Sequence, residues 1–130
     1  MDGKIALITI LTNDVRRLVD FYHSILGFQL LEDMGPYVEF VNPGVRFAIC
    51  DRSVMENATG HADFHKPRSG QSFELAFPLA SASEVDLAYD YIIDMGANPI
   101  QPPTNMPWNQ RTAFFTDPDG NIHELFADLD

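Results

Sequence analysis

The pattern of apolar and polar residues in the first half of the chain predicts a strand, a helix and three more strands. Residues 5–11 are apolar and β-branched, which is typical of a buried strand. Asn13 offers a helix cap, and apolar residues then recur at helical spacing up to Gly27, a residue type favoured just past a helix end. Turn sequences separate three further predicted strands, at residues 28–32, 37–41 and 45–50.

The second half of the chain repeats this order of elements. Residues 73–77 alternate like a strand, Ser83 and Asp86 resemble a capping pair, and a helical stripe ends at Gly96. Three strands are predicted after it, at residues 98–101, 112–116 and 121–127. Two βαβββ halves, with helices near residues 14–26 and 83–95, indicate an internal duplication.

The two halves are joined by a polar segment, residues 53–71. It contains Gly60, Pro67 and Gly70 and shows no clean periodicity, so we expect a connecting loop or a flap over a site. The modules then cover about residues 1–52 and 72–130. A chain of 130 residues has the length of a single domain.

Charge and composition narrow the possible partners. The net charge of −11, from 19 acidic and 8 basic residues, repels nucleic acid and anionic membrane surfaces. It either keeps the protein soluble or attracts a cationic ligand. No apolar run approaches the roughly 18 residues that cross a bilayer, residues 1–4 do not resemble a signal peptide, and Cys50 is the single cysteine. We therefore expect a cytoplasmic protein.

Two motifs carry a resemblance to a known family. The first runs from Asn13-Asp14-Val15 through Asp20-Phe21-Tyr22 to Leu26-Gly27-Phe28, and the second is Asp117-Pro118-Asp119-Gly120-Asn121 followed by Glu124. Together they resemble the vicinal-oxygen-chelate superfamily of glyoxalases, bleomycin-resistance proteins and extradiol dioxygenases. The resemblance implies an α+β fold in which two tandem βαβββ modules form curved mixed sheets around a cleft, commonly completed by a homodimer. It does not define a reaction.

The resemblance also implies four inward-facing positions for metal ligands. In this chain they are occupied by Leu7, Ala48, Glu74 and Glu124. Only Glu74 and Glu124 can coordinate a divalent metal such as Zn, Ni, Fe or Mn, so the ligand set is incomplete. Glu124 is the candidate catalytic residue if the protein is an enzyme. Alternatively, the two glutamates are ordinary strand residues facing a solvated cleft.

Histidines offer little to complete such a set. His61 and His65 would contribute only if the middle segment folds inward, and such histidines are more often exposed. His123 is adjacent to Glu124, so strand alternation places it on the opposite face of the sheet.

Strand alternation divides the strand residues into two rows. We expect one row to pack under the helices, comprising Ile8, Ile10, Phe47, Ile49, Phe73, Leu75, Phe77 and Leu125. The opposite row would line the cleft, comprising Thr9, Arg46, Ala48, Cys50, Glu74, Ala76, Glu124 and Phe126. This second row mixes apolar and polar groups, as ligand pockets do.

The segment Pro107-Trp108-Asn109-Gln110-Arg111 resembles the P-W-G-x-R loop of bleomycin-resistance-type proteins. Trp108 can stack on a planar ligand or a cation, and Arg111 can orient a carboxylate. Trp108 can equally serve as an anchor for the loop. Asn109 replaces the usual glycine, which leaves the turn geometry open. The predicted ligand-binding residues are therefore Arg46, Glu74, Trp108, Arg111 and Phe126.

Two functions of different class follow from these residues. The first is a binding protein that sequesters an antibiotic-like or planar cationic small molecule in a dimer cleft. The second is a metal-dependent glyoxalase-like lyase or extradiol dioxygenase that uses Glu124. Loss of a ligand at Leu7 favours binding, whereas retention of Glu124 favours an enzyme.

Overall fold

The computed structural model describes residues 1–130 and divides into two compact units. The first unit comprises residues 1–69 and the second unit residues 70–130. Each contains a four-stranded mixed sheet with its own helix, so the predicted α+β fold built from two βαβββ modules is confirmed. No helix in it combines the length and apolar character needed to cross a membrane.

In the first unit the chain order is β1 (Leu7–Thr12), α1 (Val15–Asp20), a π-helical turn (Phe21–Ile25), β2 (Leu30–Asp33), β3 (Tyr37–Phe40), β4 (Arg46–Asp51), α2 (Arg52–Thr59) and a 3-10 turn (Ala62–His65). The sheet order is β1-β4-β3-β2, and only the β1–β4 pair is parallel. Tyr22 is fully buried and contacts the rings of Phe28, Phe40 and Phe47. The Phe-Tyr motif therefore builds this core.

The cap of α1 is Asp14, not Asn13 as predicted. Asp14 immediately precedes the first helical residue, and its Oδ1 accepts a hydrogen bond from the backbone N–H of Arg17 at 3.1 Å. Its own N–H donates to Thr12 Oγ1 at 3.0 Å, which ties the cap to the end of β1.

The segment predicted as a loop, residues 53–71, begins inside a helix instead. Asp51 caps α2, since its Oδ1 accepts from both the N–H and the hydroxyl of Ser53. Gly60 ends the helix with a left-handed φ of 70°. At 8 residues the helix is too short for its apolar positions to establish a periodicity, so only the caps marked it in the sequence.

In the second unit the order is β5 (Ala76–Pro78), α3 (Ala82–Asp94), β6 (Asn98–Met106), β7 (Gln110–Thr116) and β8 (Ile122–Asp128), with sheet order β5-β8-β7-β6. The capping pair lies two residues before the predicted pair of Ser83 and Asp86. Ser81 caps α3 by accepting from the N–H of Glu84, and the Glu84 carboxylate in turn accepts from the N–H of Ala80.

Strand β5 is shorter than predicted because the residues before it use other hydrogen-bond partners. The N–H of Leu75 donates to Nδ1 of the buried His123 at 3.0 Å, and Gln71 bonds to the backbone of Ile122. Phe73, predicted to pack under the helix, is 51% exposed because the strand begins only at Ala76.

Candidate functional site

Each sheet has a helix side, covered by the helix of its own unit, and a far face turned away from that helix. In the second unit Arg111 reaches Asp86 on α3, which places Arg111 on the helix side. Cross-strand register puts Ala127, and by alternation Leu125 and His123, on the same side. Glu124 and Phe126 are therefore on the far face, as predicted.

Glu124, on this far face, has a partly buried carboxylate to which no group in the chain donates a hydrogen bond. Burial raises the pKa of Glu124, and the negative charge of Glu74 raises it further. Glu74, an exposed residue just before β5, is thus near enough to Glu124 for its charge to act on it.

The surroundings of Glu124 are apolar and aromatic. Its cross-strand partners are Ala76 on β5 and Phe114 on β7, and Phe126 is the next residue on the same face of β8. Both phenylalanines are partly buried, so each leaves some ring surface uncovered. A carboxylate between aromatic rings suits a cation that also has an apolar part.

Trp108 lies at the hairpin turn between β6 and β7 and is 58% exposed. Its indole N–H donates to Gln110 Oε1 at 3.1 Å, and Gln110 in turn donates to Asp128 at 2.9 Å. These bonds orient the indole beside the far face. The register separates Gln110 from the residue opposite Glu124 by four positions, about 13 Å along an extended strand.

Asn109 occupies the turn position at which the P-W-G-x-R loop has a glycine. Its φ of 63° is left-handed, a conformation that asparagine tolerates better than most residues. Asn109 also bonds twice to Leu129, through its carbonyl and its side-chain amide. The substitution therefore preserves the turn.

Arg111 does not share the far face with the carboxylates. Its Nε donates to Asp86 at 2.7 Å and its NH1 to Asn105 at 3.0 Å, both on the helix side. The side chain is 25% exposed and its donors point toward these partners. Arg111 therefore holds α3 to the sheet, on the side opposite to Glu124.

Arg46 lies on the far face of the first unit, in a cluster that the sequence did not reveal. Its Nε and NH2 donate to both oxygens of Glu39 at 3.0 and 2.7 Å, and Tyr37 donates its hydroxyl to the same carboxylate. The hydrogen bonds from Arg46, then that from Tyr37, lower the pKa of Glu39 to about 2. Alternation of Tyr37 and Glu39 along β3 was the one sign of this cluster in the sequence.

The donor set does not fit a resident divalent metal. No three His, Cys, Asp or Glu side chains come together with metal-binding geometry. Leu7 and Ala48 occupy two of the four expected ligand positions, and two carboxylates without an imidazole are a poor first shell for Zn, Ni or Fe.

Three of the four histidines, His61, His65 and His123, do not complete that set. His61 and His65 are 67% and 73% exposed at their side chains, and they pair with Asp63 and Glu56 of their own segment. His123 is fully buried on the helix side, where its ring packs against Phe77 and Phe115.

The Asp-Pro-Asp-Gly-Asn motif is structural. The buried Asp117 carboxylate accepts from the N–H groups of Asp119 and Asn121 and from the Asn121 amide, at 2.8–3.0 Å. Its Oδ2 is also 3.8 Å from Nε2 of His123. The motif thus fixes the turn before β8, the strand that contains Glu124.

Comparisons with known proteins agree with this architecture. The sequence profile of the Glyoxalase/Bleomycin resistance protein/Dioxygenase superfamily matches residues 4–125. A Bacillus subtilis (strain 168) protein, YraH, described as uncharacterized, is 30% identical over 130 residues, covering 97% of this chain and 99% of its own.

Solved structures show the same relationship. A glyoxalase/bleomycin resistance protein/dioxygenase from Nocardioides is 32% identical with a TM-score of 0.86, and the match covers 100% of this chain and 86% of that one. A family enzyme from Burkholderia phytofirmans PsJN shares the fold at 22% identity, with a TM-score of 0.88 and coverage of 98% and 100%.

Proposed function

Because the chain belongs to the Glyoxalase/Bleomycin resistance protein/Dioxygenase superfamily, we propose that it binds a small aromatic cation on the far face of its second unit. Glu124 and Glu74 supply the negative charge in this proposal, and Phe114 and Phe126 supply the aromatic contact. Of the two functions that the sequence allowed, this is the binding protein and not the enzyme.

The observation that carries the proposal is the unpaired carboxylate of Glu124. A partly buried carboxylate without a hydrogen-bond donor, beside a second carboxylate, is unfavourable in the free protein. A bound cation would replace the lost hydration and neutralise the pair. Rings on either side add cation–π attraction, which contributes about 0.5–2 kcal/mol per contact.

Trp108 extends the proposed site for a longer ligand. Because Gln110, to which the indole is bonded, is about 13 Å along the strand from the residue opposite Glu124, a one-ring cation at Glu124 does not reach Trp108. A planar three-ring cation such as proflavine can lie across Phe126 toward Trp108. We expect stacking there to contribute about 1–3 kcal/mol, the scale of aromatic stacking on a planar base.

We also propose a homodimer that sequesters the ligand rather than transforming it. Edge strand β2 supports association, because Leu30 and Leu31 are 41% and 61% exposed and a second copy would cover them. Sedimentation at micromolar concentration should then give about twice the 14.6-kDa chain mass. A monomer would contradict this part of the proposal.

The alternative is a metal-dependent lyase or dioxygenase that uses Glu124. Only the position of Glu124 favours it, since the other expected ligand positions supply one further carboxylate and two apolar side chains. Metal analysis of protein purified without chelators separates the two functions. Stoichiometric metal together with turnover of a 2-oxoaldehyde–thiol adduct or a catechol would overturn the binding proposal.

Calorimetric titration with benzamidine and benzamide tests the proposed site. The two molecules have nearly the same shape, but only benzamidine is a cation at pH 7. We expect benzamidine to bind and benzamide to bind at least tenfold more weakly. Glu124→Gln should remove this preference, because it preserves the shape of the side chain and removes its charge.

A second carboxylate variant provides the control. Glu32 is an exposed residue of edge strand β2 in the first unit, so Glu32→Gln changes the net charge by the same amount as Glu124→Gln. It should leave the affinity for benzamidine unchanged. Equal losses in both variants would mean that the overall negative charge attracts the cation, without a specific site.

A further inference from the structure

The far face of the second unit contains a buried hydroxyl with no hydrogen-bond partner. Thr112, on β7, is 0% exposed, and its Oγ1 is neither donor nor acceptor to any group of the chain. Buried polar atoms in folded proteins are nearly always paired, so each exception calls for a specific explanation.

Other buried threonines in the chain show what is missing at Thr112. Thr12 Oγ1 accepts from the N–H of Asp14, and Thr116 Oγ1 accepts from the side-chain amide of Asn98. In the first unit the register position equivalent to Thr112 is Tyr37, whose hydroxyl donates to Glu39. The hydroxyl of Thr112 is thus the exception both among buried threonines and between the two units.

The position of Thr112 relates it to the candidate site. It lies directly across from Phe126 and diagonally across from Glu124 in the antiparallel pair β7–β8. Diagonal neighbours on one face are about 7–8 Å apart, with their Cβ atoms somewhat closer. A ligand that bonds to both side chains would therefore need only a short spacer between its cationic and its hydrogen-bonding group, as in an amino alcohol.

We infer that the ligand of this face is an aromatic amine that carries a hydroxyl or carbonyl group close to its ammonium nitrogen. This inference rests on the proposed function. The ammonium pairs with Glu124, the ring lies against Phe126, and the ligand oxygen exchanges a hydrogen bond with Thr112. A threonine hydroxyl both donates and accepts, so it can pair with either oxygen type.

The test crosses three amines with two variants. Phenylethanolamine differs from phenethylamine by one hydroxyl, and phenacylamine carries a carbonyl at the same carbon. We expect the wild-type protein to bind at least one of the oxygenated amines about 2- to 10-fold more tightly than phenethylamine, the range of a neutral hydrogen bond. Thr112→Val should abolish that preference while leaving phenethylamine affinity unchanged, and Thr112→Ser should retain it.

The possible outcomes distinguish this inference from the function on which it rests. If all three amines bind with affinities that depend on Glu124 but not on Thr112, the inference is wrong and the proposed function stands. If none of them binds, both are overturned. Thermal unfolding checks the variants, and Thr112→Val should be at least as stable as wild type because it removes an unpaired buried hydroxyl.

Discussion

The far faces of the two sheets carry a carboxylate at the same cross-strand pair but on opposite strands. In the first unit the pair is Glu39 on β3 and Ala48 on β4, and in the second it is Phe114 on β7 and Glu124 on β8. Glu39 is held by Arg46 and Tyr37, whereas Glu124 has only another carboxylate, Glu74, beside it.

This difference shifts the pKa values of the two glutamates in opposite directions. Hydrogen bonds from Arg46 and Tyr37 lower the pKa of Glu39, whereas burial and the charge of Glu74 raise the pKa of Glu124. One unit therefore satisfies its buried charge internally, and the other leaves its partly buried carboxylate without a hydrogen-bond donor. In the proposed function, a few side chains would thus give two modules with one backbone plan different roles.

The largest expected effect concerns the turns before the last strand of each unit. Asp117→Ala should lower the free energy of unfolding by about 2–4 kcal/mol, because it removes three hydrogen bonds to a buried carboxylate. Asn42→Ala should cost only about 1 kcal/mol, since Asn42 donates a single bond to the carbonyl of Val45. Urea unfolding at pH 7 measures both, and equal losses would contradict the comparison of the two turns.

Ligand binding should depend on pH through the second unit only. A cation binds the ionised form of Glu124, so affinity should fall as pH decreases through the raised pKa, beginning above the ordinary glutamate value of 4.5. Below that pKa the loss approaches about tenfold per pH unit. Calorimetry with benzamidine measures it. The same profile in Glu124→Gln would show that another group is responsible, whereas an unchanged profile in Glu39→Gln is expected.

The two glutamates should affect stability with opposite signs. The folded pKa of Glu39 is below its ordinary value, so its contribution is present above pH 4.5 and is lost as pH falls toward about 2. Glu39→Gln should therefore destabilise the protein at pH 7 and have progressively less effect over that interval.

Glu124 has the reverse linkage. Its raised pKa means that the folded state prefers the protonated carboxyl, a preference lost as pH rises through the folded pKa. Glu124→Gln should then stabilise the protein at pH 7 by about 0.5 kcal/mol, the lower end of surface-charge optimisation. Thermal unfolding from pH 3 to 8 measures both variants, and effects of the same sign would refute the contrast.

The smallest effect on binding is expected at Arg111, which distinguishes the two sides of one sheet. Arg111→Ala should lower stability by about 0.2–1 kcal/mol, the range of an ion pair in contact with solvent, because Asp86 is 47% exposed at its side chain. Benzamidine affinity should not change, because Arg111 and Glu124 lie on opposite sides of the sheet. A loss of affinity with intact folding would return Arg111 to the binding site.

The sequence by itself determined the repeated βαβββ order, both main helices and the faces of β8 residues such as Glu124 and Phe126. These properties depend on local periodicity and on residues such as Gly27 and Gly96, which act within a few positions. Strand alternation also predicted correctly that His123 and Glu124 lie on opposite faces of the sheet. The short helix α2 was not predicted, because its main signal in the sequence was the capping residue Asp51.

Only the tertiary structure decided which charged groups meet. Arg111 and Asp86 are 25 positions apart, Glu74 and Glu124 are far apart in the chain, and the distance between two side chains across a sheet depends on strand register. Register follows from the packing of whole strands, and a shift of one residue would move every side chain to the other face. That is why Glu39 pairs with Arg46 while Glu124 remains without a donor.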